Sequence, residues 1–212
     1  MSTADVGPLG TSRSGAWLRS ARLARGLAWL SLAWMTAEGV LGLVAGITAG
    51  SISLVGWALG SVIEGLASVI VIWRFTGSRT LSDTAEGRAR KAVAISFFLL
   101  APYLAIEAFR DLVFGHATET SWLGIAVTTA SLLVMPGLGI AKRRLGRRLG
   151  SGATAGEGVQ NLMCAGQAGA VLLGLAATAV LGWAWLDPAV ALLLAAWAVR
   201  EGRESWRGDD CC

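Results

Sequence analysis

Histidine is almost absent from this chain of 212 residues; the one present is His116. A single histidine in a loop position supports neither a Ser/His dyad nor a His–Glu–His zinc site, so intramembrane hydrolysis has no residues to work with. Cysteine is scarce too. Cys164 lies in an apolar run and Cys211 and Cys212 are adjacent at the C-terminus, which is no disulfide framework. Charged residues make up only 15% of the chain, well below the roughly 25% of an ordinary soluble domain. No basic stretch is interleaved with aromatics, so nucleic-acid binding is not supported. The first residues hold no short apolar core followed by a small-residue cleavage site, so no cleaved signal peptide is expected.

What is abundant is apolar sequence. Hydrophobic residues reach 54% and mean hydropathy is +0.60, values that argue for membrane spans. Six runs of bilayer length can be traced: Leu23–Ile47, Ser51–Arg74, Ala92–Val113, Ser121–Ile140, Ala153–Leu181 and Leu186–Arg203. Irregular backbone is not tolerated against lipid, so each is read as helix. The expected fold is all-α, an integral membrane protein built as a six-transmembrane-helix bundle. Pro136 interrupts the fourth run, and Pro188 suits the first turn of the sixth. Residues 1–20 are expected to be a disordered cytoplasmic segment, residues 21–207 the membrane domain, and residues 208–212 a short tail.

The basic residues set an orientation. Arg13, Arg19, Arg22 and Arg25 precede the first run. Arg74, Arg79, Arg88, Arg90 and Lys91 fall between the second and third. Lys142, Arg143, Arg144, Arg147 and Arg148 fall between the fourth and fifth, and Arg200, Arg203 and Arg207 close the chain. Only Arg110 is on the other side. The positive-inside rule puts both termini in the cytoplasm of a multi-pass protein of the plasma membrane. The glycines, 28 in all, include spacings at Gly42–Gly46 and Gly56–Gly60 that let helices approach closely.

Against this apolar background the polar residues stand out. Ser51 to Phe75 holds one carboxylate, Glu64, near its middle. An ionisable group at that depth costs several kcal/mol, roughly ~2.5–3.5 by insertion scales, and is usually kept for a partner, a water path or an ion. Glu38 shares its depth. In the fifth run Glu157, Gln160 and Cys164 fall at i, i+3 and i+7, on one helix face, with Asn161 beside them. Glu107 and Arg110, three apart, read as an ion pair near the outer surface. Glu64 as a protonated structural carboxyl, and Cys164 as a small buried hydrophobe, are the bland alternatives. Asp209 and Asp210 next to Cys211 and Cys212 form a candidate for capturing a soft metal cation, or an incidental polar tail.

With these residues the chain resembles the transmembrane domain of the cation diffusion facilitator (cation efflux) family. SISLVGWALGSVIEGLASVIV is similar to the family's second helix, AGEGVQNLMCAGQAGAVLLG to its fifth, and GWAWLDPAVALLLAAWAVREGRESW to its sixth. The likeness runs over about residues 20 to 207. It implies six helices, cytoplasmic termini, and a metal site between helices two and five with ligands at i and i+4 on each. On this chain those positions are Gly60 and Glu64, then Gln160 and Cys164. The resemblance therefore implies a divalent-metal exporter, with zinc a candidate cargo, protons as the exchanged ion, no resident cofactor, and a homodimer as an open option.

Glu64, Gln160 and Cys164 would hold the metal, while Glu38, Gly60, Glu157 and Asn161 would line the pathway. Three of the four positions depart from the family. Gly60 supplies no ligand, Gln160 supplies a neutral amide, and Cys164 supplies a soft thiol. The rival reading is a non-transporting membrane protein, a sensor or assembly subunit, that kept the fold around a degenerate site. The family's His-rich loop and cytoplasmic dimerisation domain have no counterpart here, so a transmembrane-only member is expected.

Overall fold

The computed structural model describes residues 14–48, 52–114, 122–181 and 186–208. They form six α-helices: α1 (Gly15–Thr48), α2 (Ile52–Arg74), α3 (Asp83–Phe114), α4 (Trp122–Leu149), α5 (Gly152–Leu181) and α6 (Leu186–Arg207). His116 and the Cys211–Cys212 tail lie outside the described residues. So do residues 1–13 of the N-terminal segment.

The helices run past the apolar stretches at the basic end of the bundle. The disordered segment expected through residue 20 is helical from Gly15 onward. Ser14 Oγ accepts the Trp17 N–H at 3.2 Å and starts the helix. The Trp17 indole then donates to the Leu149 carbonyl at 3.3 Å and its ring meets Phe75, fixing this turn to the ends of α4 and α2. The residues expected to be loop between the second and third runs hold a 3-10 turn (Gly77–Leu81), then Ser82, then helix from Asp83. Ser82 Oγ caps that helix by accepting the Ala85 N–H at 3.2 Å. Pro136 does not break α4, and Pro102 does not break α3. A proline inside a membrane helix forfeits one backbone bond that neighbouring groups can compensate.

Two devices bind the ends together. Gly150 has φ +62°. Its N–H donates to the Arg147 carbonyl at 3.3 Å, and the Ser151 N–H donates to Gly146 at 2.9 Å. This double bond is the Schellman arrangement, which needs glycine at the left-handed position and reverses the chain sharply from α4 into α5. Glu86 is the second device. It accepts from buried Arg74 Nε at 2.7 Å, and its other oxygen accepts the Ala153 N–H at 3.2 Å in the first turn of α5.

Packing follows from residue size. On α1 the buried positions are Ala21, Ala24, Ala28, Ser31, Met35, Glu38, Gly42 and Ala45, an alternation of three and four residues. That seam faces the bundle, while Trp29, Leu30 and Val40 face outward. Exposed Ile106, Phe109, Leu133 and Leu193 continue an apolar exterior, as lipid requires. Helix α5 is central: it touches α2, α3, α4 and α6, while α1 packs on α2 and α4. The closest approach is between α4 and α5. A Cβ added at Gly146 would stand 2.6 Å from Ala155 N, and one at Gly139 would stand 2.8 Å from Gly158 O.

This seam makes a prediction. Gly146→Ala should lower the thermal midpoint in detergent, with an overpacking cost of about 1–3 kcal/mol. Gly26→Ala, where nothing stands within 4 Å of the added methyl, should raise it by up to about 1 kcal/mol. Equal responses at both positions would contradict the close α4–α5 contact.

Candidate functional site

Because α5 crosses the middle of the bundle, its polar residues have no lipid to face. Glu157, Gln160, Asn161, Cys164 and Gln167 recur at spacings of three and four, so they form one column about 15 Å long at ~1.5 Å per residue. Each meets a partner from a different helix.

The column's central group joins α1, α2, α4 and α5. Glu38, 2% exposed, has both carboxyl oxygens occupied. Oε2 accepts from Ser131 Oγ at 2.6 Å and Trp34 Nε1 at 2.8 Å. Oε1 accepts from Ser61 Oγ at 3.2 Å and Cys164 Sγ at 3.4 Å. Glu64 lies alongside, close enough for its carboxyl to interact with both Glu38 and Cys164. It is less well provided for. Oε1 accepts from Gln167 Nε2 at 3.0 Å, while Oε2 is buried without a hydrogen-bond partner among the described residues. A buried carboxyl oxygen left without a donor is costly.

Of the three residues proposed as metal ligands, then, the structure brings Glu64 and Cys164 together and turns Gln160 elsewhere. Gln160 Nε2 donates to Ser96 Oγ of α3 at 2.7 Å, and Gln160 Oε1 has no partner among the described residues. The α5 residue that does reach Glu64 is Gln167. Gly60 does not open a gap either. A side chain there would find Tyr103 Cε1 of α3 at 3.3 Å and Gln167 Oε1 at 3.8 Å. The tyrosine ring fills the place of the missing ligand. Among the described residues no three His, Cys, Asp or Glu side chains close around a common point tightly enough to enclose a metal ion. The centre is a hydrogen-bonded cluster in which one carboxyl oxygen, Glu64 Oε2, has no partner among the described residues.

Toward the basic end lies a second cluster. Lys142 of α4, expected in a loop, is fully buried inside the helix. Its ammonium donates to Glu157 Oε1 at 2.6 Å, to Ser31 Oγ at 2.6 Å and to Asn161 Oδ1 at 3.4 Å. Glu157, expected to line the pathway, is held in this ion pair at 0% exposure. Asn161 Nδ2 donates to Ser31 Oγ at 3.0 Å and Met135 Sδ at 3.3 Å. At the opposite end Glu107 accepts from Arg110 at 2.8 Å, as the spacing suggested.

Sequence reasoning missed Ser31, Ser61, Ser131, Lys142, Tyr103 and Gln167. Gln167 had a signal, three residues beyond Cys164 on the same face. Lys142 had none, since it opens the run Lys142-Arg143-Arg144 and reads with its neighbours as a cytoplasmic charge.

A helical bundle with apolar outer faces and a polar interior defines a multi-pass membrane protein. Three of the helical stretches, Gly15–Ala45, Asp83–Phe114 and Ile125–Leu149, are long and apolar enough among the described residues to cross a bilayer. The family profile described as the cation efflux transmembrane domain matches residues 28–207. The chain belongs to the cation efflux family. A protein of Synechocystis sp. named "uncharacterized transporter sll1263" is 27% identical over 181 residues, which is 82% of this chain and 58% of that protein. The chain thus spans little more than half the length of the curated relative it matches.

The filled space at Gly60 makes a second prediction. Gly60→Asp should destabilise the protein, because the Tyr103 ring must move to admit a side chain. In a Tyr103→Ala background the same substitution should cost less, and zinc should raise the melting temperature of that double variant more than that of the parent. An equal cost in both backgrounds would show that Tyr103 is not what occupies the position.

Proposed function

We propose that this chain moves a divalent metal cation across the plasma membrane and out of the cytoplasm, in exchange for protons. The basic end of the bundle faces the cytoplasm in this reading, since seventeen of the eighteen Lys and Arg residues in the sequence belong to it. The observation that carries the proposal is Glu64: a carboxyl 3% exposed on the α2–α5 contact, with one oxygen unpartnered among the described residues and Glu38 and Cys164 beside it. Membership of the cation efflux family and the transporter name of the Synechocystis relative support it.

Glu64 would bind the cation with Cys164. Glu38 would join after surrendering its serine and tryptophan bonds, and Gln167 would supply a neutral oxygen once its amide turns, since its nitrogen now faces Glu64. A cation between Glu64 and Glu38 offsets their mutual repulsion in a medium of low dielectric, and protons do the same when the cation has left. Zinc is the first cargo to try; the mixed thiol and carboxylate donors also suit softer ions. Gln160 becomes a bridge from α5 to α3 rather than a ligand. Cys211 and Cys212 remain a candidate capture site, and a homodimer remains a candidate assembly.

A second reading has an observation of its own. Tyr103 over Gly60 is a stable filling of the site, and a sensor or assembly subunit needs no transport through it. Flux separates the two. Inside-out vesicles should accumulate zinc, cobalt, cadmium, manganese or iron(II) under a proton gradient. Glu64→Gln and Cys164→Ser should each cut that flux by about tenfold or more, with the double variant little worse than either single one, as for two residues that share one ligand. Modest, additive losses would assign them separate structural roles, and no flux for any cation would favour the non-transporting reading.

A further inference from the structure

The Lys142 ammonium sits where a free cation would sit. It takes Glu157 Oε1, Ser31 Oγ and Asn161 Oδ1, one acceptor for each of its three protons. All four residues are buried, none more than 2% exposed. The donor set gathers three helices: Ser31 from α1, Lys142 from α4, Glu157 and Asn161 from α5. One more oxygen is present than the ammonium uses. Glu157 Oε2 is buried and has no hydrogen-bond partner among the described residues.

A structural ion pair with nothing further to do is best built with both carboxylate oxygens satisfied, because each orphan in a dry interior is costly. Here the second oxygen is held in reserve. Carboxylate, amide carbonyl and hydroxyl oxygens together form a donor set for an oxygen-binding cation. Glu157 also stands seven residues from Cys164 on α5, and Ser31 stands seven from Glu38 on α1. Both pairs place this cluster two turns from the central one, on the same helix faces and nearer the basic end.

We propose that Ser31, Glu157 and Asn161 form a second cation site, at the basic end of the polar column, and that Lys142 is its tethered occupant. The tethered ammonium keeps the site filled and the end of the column shut. A divalent cation entering from the basic end displaces it, takes over its three oxygens and gains Glu157 Oε2 as a fourth. Two positive charges cannot share the pocket, so the lysine side chain swings out as the cation settles, and it returns when the cation moves on to Glu64. The site rests on the transport reading in one respect, the identity of the cation; its occupancy by Lys142 does not.

The chain has two lysines, Lys91 and Lys142, which gives a test in the unaltered protein. Lys91 is exposed and Lys142 fully buried, so a brief pulse of acetic anhydride should acylate Lys91 and spare Lys142, as read by peptide mass spectrometry. Saturating zinc or manganese(II) should raise acylation of Lys142 several-fold and leave Lys91 unchanged. The Glu64→Gln protein should show the same cation effect, since the central cluster is not needed to displace the lysine. Lys142→Met should bind cation more tightly, with a larger cation-dependent rise in melting temperature than the parent, and Glu157→Gln added to it should abolish that rise.

Protection of Lys142 that no cation changes would overturn the proposal. If cation flux is seen all the same, transport stands and only the inner site falls. If Lys142→Met proves too unstable to purify, the labelling of the parent protein decides alone.

Discussion

Everything inside this bundle answers to one constraint. In a bilayer a polar side chain that turns away from the protein meets hydrocarbon, so most buried polar groups find their partners on other helices. The partners are distributed accordingly. Glu38 of α1 draws on α2, α4 and α5; Lys142 of α4 draws on α1 and α5; Gln160 of α5 draws on α3. Helix α5 carries the largest share, and its central position follows, because no place at the rim offers neighbours on four sides. Its close approach to α4 depends in turn on Gly139, Gly146 and Gly158, where any Cβ would collide with the facing backbone.

The two clusters in the column differ in how completely they are satisfied. Glu38 accepts four bonds and is the fixed point of the centre. Glu64 and Glu157 each keep one oxygen without a donor among the described residues. A buried polar atom left without a hydrogen-bond partner costs about 1–3 kcal/mol. In the transport reading these two oxygens mark the two levels at which a positive charge would enter. A thiol at one level and only oxygen donors at the other, apart from the Met135 thioether nearby, mean that the levels differ in softness. A cargo passing through would exchange one kind of donor for another.

Much of this was legible in the sequence, and the part that was not has a physical reason. The six helices, Glu64, Glu38 and Cys164 were visible because a polar residue in an apolar run is conspicuous. The Glu107–Arg110 pair was visible because its partners lie on one helix. The serines that bind Glu38 were not, since serine is common in membrane helices and its partner comes from another helix. The contact of Gln160 was not visible from spacing: positions i and i+4 share a face, but that face is wide enough for Gln160 to turn to α3 while Cys164 turns to α1. Lys142 was hidden by its arginine neighbours. Helix ends were set short because the sequence boundary follows hydropathy, whereas the helices continue wherever capping and ion pairs such as Arg74–Glu86 support them.

In the proposed function the polar column is a cation path and not merely a satisfied interior. Cys164 reports on it directly, since its thiol lies in the central cluster and is buried at 2% exposure. In a Cys211→Ser/Cys212→Ser protein reconstituted in vesicles, a small cationic methanethiosulfonate reagent should modify Cys164 from the water phase, and zinc should slow that modification several-fold. A thiol that stays unmodified by the charged reagent, or a modification rate indifferent to every divalent cation tried, would contradict the account.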